Sequence, residues 1–293
     1  MKMDIFINKI LLPVAVPDAE LNAVRQAAFL ARHFGSEVVL VHVVAPMSYP
    51  VGILEIGYEL SGDLHAKIIE RAQTDLHQLL GSELDGIAVR PLLLKGDPAV
   101  EIAQIARDEH VDLIVQSTRG HGMFYRFLLG SVAAKVLHES TCPVWTNTQL
   151  DAAPARKFVI DSVVCAVDLN PHSRNTVLRA ARIAKEFGAR LTLVHITGGV
   201  EAYGPGAPHI VPEWKAEIVG YATREIAKLQ QDLGTKAEVI IASGNVCKLL
   251  NRAVDQAKGD VLVIGHMPSG GHLGENGSGY AIIRESHIPV MSV

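Results

Sequence analysis

The chain has 293 residues, which is enough for about two domains of ordinary size. Its net charge of −4 and its 48% apolar content exclude a disordered chain, a collagen and a disulfide scaffold, and they argue against a dedicated nucleic-acid binder. No apolar run reaches the ~18 residues that a membrane-spanning helix needs, so we expect no membrane association.

The chain begins with a predicted strand, a helix and a second strand. Residues 10–16 are a near-continuous apolar run, as a buried parallel strand requires. Asp18 is expected to cap a helix over residues 19–34, in which apolar side chains fall on one face. Residues 37–44 are predicted as the second strand.

The same alternation of strands and helices continues through the first half. The further predicted elements are a helix over 62–81, a strand over 88–94, a helix starting at Pro98 and capped by Asp97, a strand over 112–116, a helix over 131–139 and a strand over 143–147. Such alternation predicts an α/β unit with a mostly parallel sheet. Ligands of such sheets bind beyond the carboxyl ends of the strands, where the strand order reverses.

The second half of the chain repeats the first. Gly35 matches Gly188 at an offset of 153 residues, and Asp112 matches Asp260 at an offset of 148. The difference means that the first copy is five residues longer between these points. An internal repeat of this length indicates two domains of the same fold.

The two predicted domains are residues 1–150 and 160–293. The segment between them, 151–159, is polar, contains alanine and proline and lacks periodicity, so we interpret it as a linker.

The cysteines indicate a reducing compartment. Cys142, Cys165 and Cys247 are odd in number and widely spaced, and none belongs to a CxxC pair. This pattern fits buried thiols in the cytoplasm better than disulfides or a zinc site. The N-terminus also lacks a small-residue cleavage site, so no signal peptide is expected.

A glycine-containing loop follows the fourth predicted strand. Gly120 and Gly130 are separated by nine residues, and Ser131 then opens a helix. Glycines allow backbone N–H groups to approach an anion, and the start of a helix adds a favourable dipole. The same residues are also typical of a structural turn, so the loop alone does not identify a ligand.

The whole chain resembles a tandem universal stress protein. The nucleotide-binding pattern of that family is G-x2-G-x9-G-[ST] after strand four, and the first copy has S-x2-G-x9-G-S, with Ser117 in the first position. The resemblance covers about residues 7–147 and 160–293. It implies two flavodoxin-like domains of the adenine nucleotide alpha hydrolase-like type, each a five-stranded parallel sheet in the order 3-2-1-4-5.

The resemblance also implies which residues of the first copy would bind nucleotide. In ATP-binding members the glycine loop holds the phosphates, and an aspartate at the end of strand one contacts the nucleoside. Ala15 stands at that aspartate position here. The residues carried over in this copy are Pro13, Val14, Ala15, Val43, Ser117, Arg119, Gly120, His121, Gly130, Ser131 and Val132.

The second copy departs from the family pattern in a different way. It retains Asp168, but Pro268 replaces the second glycine and Glu275 would repel a phosphate. Each family pocket forms within one domain, so the two copies are not combined into one site. The residues carried over in this copy are Ala166, Val167, Asp168, Ile196, Gly265, His266, Gly277, Ser278 and Gly279.

The expected function is that of a stress-response sensor or regulator. It would bind ATP, with or without Mg²⁺, in at least one half. No motif positions a general base, so no catalytic residue is assigned and any ATP hydrolysis should be slow. The alternative is a protein-interaction or chaperone-like module that binds no nucleotide. Within the family the last strands of two domains pair, so residues 143–147 and 289–293 are expected to form an intrachain pseudo-dimer. Homodimer formation and the protein partner stay open.

Three weaker patterns remain. His266, His272 and Glu275 lie near one another in sequence and give a weak indication of a metal site. His42 and His195 occupy matched positions, which indicates hydrogen-bonded histidines in the core or at strand ends. Some aromatic residues fall where family members cover the pocket or contact partners, although ordinary loop packing explains them as well. These are Tyr49, Tyr58, Tyr203 and Trp214, together with Ile53 and His209.

Overall fold

The computed structural model describes residues 7–16, 20–45, 58–80, 83–118, 129–147, 158–198, 212–265 and 278–293. Strands and helices alternate through both halves. The elements are β1 Lys9–Pro13, α1 Leu21–Phe34, β2 Glu37–Val44, α2 Tyr58–Leu80, β3 Val89–Lys95, α3 Pro98–Asp108, β4 Leu113–Ser117, α4 Ser131–Glu139, β5 Val144–Asn147, β6 Ser162–Ala166, α5 Ser173–Phe187, β7 Arg190–Gly198, α6 Pro212–Leu233, β8 Glu238–Gly244, α7 Val246–Ala257, β9 Val261–Ile264, α8 Ser278–Glu285 and β10 Val290–Ser292.

Each half contributes five strands. The strand order is β3-β2-β1-β4-β5 in the first half and β8-β7-β6-β9-β10 in the second. The described strand pairs in both halves are parallel. The α/β class and the order 3-2-1-4-5 are therefore confirmed for both copies. The chain divides into two compact units, and the boundary lies within β5, between Val144 and Trp145.

Continuous apolar runs form the central strands because helices cover both sheet faces. In β1, Leu11 pairs with Val39 of β2 and with Ile114 of β4, and all three side chains are buried. The corresponding central strand β6 has its buried residues Val163 and Val164 paired with both β7 and β9. The repeated apolar runs in the sequence thus form the core of each half, and the central strand pairs with the corresponding two strands in both.

A repeated aspartate fixes the start of the central strand in each half. One carboxylate oxygen of Asp112 accepts hydrogen bonds from two backbone N–H groups, at 2.8 and 3.0 Å. The donors are Asn8, just before β1, and Lys9, its first residue. Asp260 does the same at the start of β6, at 2.8 and 2.9 Å. The matched spacing in the sequence therefore reflects a shared structural role.

Helix ends also follow the sequence signals. The Asp97 carboxylate accepts N–H groups of the first turn of α3 at 2.9 and 3.2 Å, with Pro98 as the first helical residue, which confirms the predicted cap. These bonds and Lys135 hold the pKa of Asp97 below its ordinary value. Gly35 and Gly188 end α1 and α5 with φ of 70° and 63°, a left-handed conformation that favours glycine.

Three predicted element limits are wrong. Strand β1 ends at Pro13 rather than at residue 16, because the Val14 carbonyl bonds to a side chain instead of continuing the strand ladder. Helix α1 begins at Leu21 after Glu20, so Asp18, which lies outside the described residues, is not its N-cap. Helix α2 begins at Tyr58 rather than at residue 62. Within the described ranges, no helix combines the length and the apolar character needed to cross a bilayer.

Candidate functional site at the strand ends

The residue after the central strand, Val14 or Val167, makes the same two hydrogen bonds in both halves. The Val14 N–H donates to a β2 carbonyl at 2.9 Å, and the Val14 carbonyl accepts the Nδ1–H of His42 at 2.9 Å. A carbonyl only accepts, so Nδ1 carries the proton. His195 bonds the Val167 carbonyl at 2.6 Å in the second half. The prediction that these two histidines are hydrogen-bonded is confirmed.

A cavity of about 290 Å³ opens at the carboxyl ends of β1, β2 and β4 in the first half. Its volume lies near the lower end of the range for small-molecule sites, roughly 300–1,000 Å³. Strand order reverses between β1 and β4, so the cavity occupies the switch point where ligands of such sheets bind. The lining residues are Pro13, Val14, Ala15, Glu20, Ala23, Val41, His42, Val43, Pro98, Ile102, Gln116, Ser117, Gly130, Ser131, Val132 and Ala133.

The structure brings together every described residue that the sequence assigned to the first-copy site. These are Pro13, Val14, Ala15, Val43, Ser117, Gly130, Ser131 and Val132. The remaining three, Arg119, Gly120 and His121, lie outside the described residues. Several lining residues were not predicted, Glu20 and Gln116 among them. Gln116 directly precedes Ser117, whereas Glu20 carries no motif and enters the cavity wall only through the start of α1.

The start of α4 forms the wall of the cavity that can attract an anion. Gly130 has φ of −61°, which any residue adopts, and its N–H donates to the Thr118 carbonyl at 2.8 Å. Its N–H is therefore not available to a ligand. The next three N–H groups, of Ser131, Val132 and Ala133, have no intrahelical acceptor at the start of the helix. Together with the helix dipole, these groups offer a place for a phosphate.

The cavity also contains a carboxylate. Glu20 occupies the N-cap position of α1 without making a side-chain hydrogen bond to the helix. Its Oε2 atom is buried, and within the described ranges it has no hydrogen-bond partner. A buried polar oxygen without a donor is unfavourable. Among the described residues, therefore, nothing donates to this acceptor at the cavity wall.

The second half carries its carboxylate at a different position, Asp168, and this carboxylate has hydrogen-bond partners within its own chain. Asp168 Oδ1 accepts the hydroxyl of Ser173 at 2.6 Å, and its other oxygen accepts the side-chain amide of Asn170 at 2.5 Å. The Asn170 side chain in turn accepts the N–H groups of His172 and Ser173, at 2.7 and 3.1 Å. Asp168 is therefore held in a local network at the start of α5.

The other second-copy residues are placed only in part. Ala166 ends β6, Ile196 lies in β7 and both are half-buried, while Ser278 and Gly279 begin α8. Gly265 follows β9, and a side chain there would meet the Thr176 hydroxyl of α5 at 3.2 Å. His266 and Gly277 lie outside the described residues, as do His272 and Glu275 of the weak metal pattern. Elsewhere in the described part of the chain, no group of three or more metal-ligating side chains occurs.

Trp214 lies in α6 and Tyr58 begins α2, so the expectation that both lie in loops is wrong. The side chain of Trp214 is 58% exposed. Ile218 and Tyr221, on the same helix face, are 42% and 56% exposed. Residues at this spacing share one side of a helix, so α6 presents an exposed apolar stripe. The other aromatic residues of that pattern, together with Ile53 and His209, have no described side chains.

The sequence pattern that defines the Universal stress protein family matches residues 7–146 and 160–293. The chain belongs to the universal stress protein family. It carries two family domains in tandem, as the internal repeat predicts. A universal stress protein of Methanocaldococcus jannaschii is 34% identical over 138 residues, which are 47% of this chain and 79% of that protein.

A second relative and a solved structure from the family also match this chain. A universal stress protein of Thermus aquaticus is 33% identical over 130 residues, which are 43% of this chain and 90% of that protein. The crystal structure of a universal stress protein from Archaeoglobus fulgidus superposes with a TM-score of 0.71 at 21% identity, covering 98% of this chain and 96% of that one. At this identity the superposition supports the fold of the whole tandem chain.

Proposed function

We propose that this universal stress protein binds an adenine nucleotide in the cavity of its first half. The observation that carries the proposal is the convergence of eight sequence-assigned residues on one cavity at the switch point of the sheet. The phosphates would lie at the start of α4, where the N–H groups of Ser131 and Val132 have no acceptor within the helix. The base and sugar would lie between the ends of β1 and β2, against the apolar side chains of Val14 and Val43.

The proposed role is binding and signalling rather than catalysis. The protein would act as a sensor or regulator in the stress response, because a bound nucleotide that prefers one arrangement of the strand-end loops shifts the chain towards it. The ligand is ATP, with or without Mg²⁺. Cys142, Cys165 and Cys247 are not joined in disulfides, which supports a location in a reducing compartment such as the cytoplasm.

The test is ATP titration by isothermal calorimetry, with and without Mg²⁺, on the full chain and on Ser131→Asp. A negative charge at the start of α4 repels phosphate but favours the helix dipole, so the variant should stay folded. We expect at least a tenfold rise in Kd. Ser278→Asp makes the matched change at the start of α8 and tests the second half, so binding in the first half should persist in it. Wild-type affinity in Ser131→Asp would refute a site in the first half.

A second candidate function is protein interaction without nucleotide. The exposed stripe of Trp214, Ile218 and Tyr221 on α6 favours it, since large apolar side chains in one exposed row are typical of contact surfaces. The same titration decides between the two functions. A wild-type chain that binds no ATP under any condition leaves the interaction function as the better supported one.

A further inference from the structure

The two halves carry different residues at a pair of positions that follow the central strand. At the offset of 153, Ala15 corresponds to Asp168 and Glu20 corresponds to Ser173. In the second half these two positions touch, because the Ser173 hydroxyl donates to the Asp168 carboxylate at 2.6 Å. Each half therefore holds one carboxylate at this pair of positions, on the strand side in one copy and on the helix side in the other.

The two carboxylates differ in what they already bind. Asp168 accepts hydrogen bonds from Ser173 and Asn170 of its own chain. The Glu20 Oε2 is buried and lacks a donor among the residues that the structure describes, and the alanine at position 15 has no side-chain donor to offer. Burying a carboxylate oxygen without a hydrogen bond is costly, unless a ligand or an ordered water donates one. Glu20 also lines the cavity directly, together with Ala15 and Val14.

We infer that Glu20 is the ligand-reading carboxylate of the first half and accepts hydrogen bonds from the nucleoside part of the bound nucleotide. The inference rests on the proposed function. A carboxylate repels phosphate, so it must face the neutral end of the ligand, while the α4 start faces the anionic end. The neutral end of an adenine nucleotide carries two kinds of donor, the ribose hydroxyls and the exocyclic amine.

The variant that tests this role is Glu20→Ser, which installs the second-half residue. Serine is a favoured N-cap residue, so the start of α1 should be kept while the carboxylate is lost. Because a hydrogen bond to a charged acceptor is strong, we expect the Kd for ATP to rise about tenfold or more. The double variant Ala15→Asp with Glu20→Ser transfers the complete second-half pair and should recover most of the affinity.

Ligand analogues show which donors Glu20 accepts. Each protein is titrated with ATP, with 2′,3′-dideoxy-ATP and with purine riboside triphosphate, which lacks the exocyclic amine. Wild type should discriminate against one of the two analogues by about tenfold, and Glu20→Ser should lose that discrimination. Asp168→Ala serves as a common background that weakens any binding in the second half. Glu70→Ser, an exposed change on α2 outside the cavity lining, is the control.

The outcomes separate this inference from the proposed function. Weaker ATP binding, lost discrimination and recovery in the double variant support the role of Glu20. ATP binding by Glu20→Ser with wild-type affinity, or with unchanged discrimination between the analogues, overturns it while nucleotide binding stands. A wild-type chain that binds no ATP overturns both. Urea midpoints of all variants, measured without ligand, distinguish lost binding from lost folding.

Discussion

Replacing Asp112 by alanine removes the acceptor that holds two backbone N–H groups at the start of β1. The bonds measure 2.8 and 3.0 Å, and the carboxylate is the charged partner in both. The N–H of Asn8 is exposed and can bond water instead, so losing this hydrogen bond reduces the free energy of unfolding only slightly. The N–H of Lys9 is partly buried and would be left without an acceptor, which costs about 1–3 kcal/mol. We therefore expect the first half to lose about 1–3 kcal/mol of stability.

The assay is urea unfolding followed by circular dichroism, with hydrogen exchange as a local probe. For an m-value of about 2 kcal/mol/M, the midpoint of the first half should fall by about 0.5–1.5 M. Asp260→Ala is the matched change in the second half, where the bonds measure 2.8 and 2.9 Å, and should have a similar effect there. Asp112→Asn keeps one acceptor and should cost about half as much. A loss below about 0.5 kcal/mol for Asp112→Ala, with unchanged exchange at Lys9, would refute the reasoning.

Three further predictions concern pH, reactivity and backbone conformation. Hydrogen bonding to Arg90 holds the pKa of Glu109 below its ordinary 4.5, so this contribution to stability is complete above that pH and is lost as the pH falls through the folded-state pKa. Glu109→Gln should remove that part of the pH dependence of the urea midpoint. Burial, with a smaller effect of Asp168, raises the pKa of the Cys165 thiol, so iodoacetamide at pH 8 should label it only in unfolded protein. Labelling of the native chain at the unfolded rate would contradict this. Gly188→Ala should cost about 1 kcal/mol in urea unfolding because φ is 63°, and an unchanged midpoint would argue against strain there.

The repeat, the alternation of elements and the strand order could be predicted because they depend on local or repeated patterns. Apolar runs mark the buried strands, and an aspartate before a proline marks the start of α3, since the cap bonds only its own first turn. The strand-end histidines were also predictable, because His42 and His195 recur at matched positions. In each case the physical cause lies within a few residues or appears twice in the chain.

Only the tertiary structure decided which side chains meet. The ends of β1, β2 and β4 come together because the sheet order places them side by side, although Ala15 and Ser131 are more than a hundred residues apart. The start of α1 is set by the Glu20 carbonyl, which accepts the first helical N–H groups, and not by the better capping residue Asp18. That shift brings the Glu20 carboxylate to the cavity. A side chain's capping preference is a local property, whereas its place in a cavity wall depends on elements that fold together from distant parts of the chain.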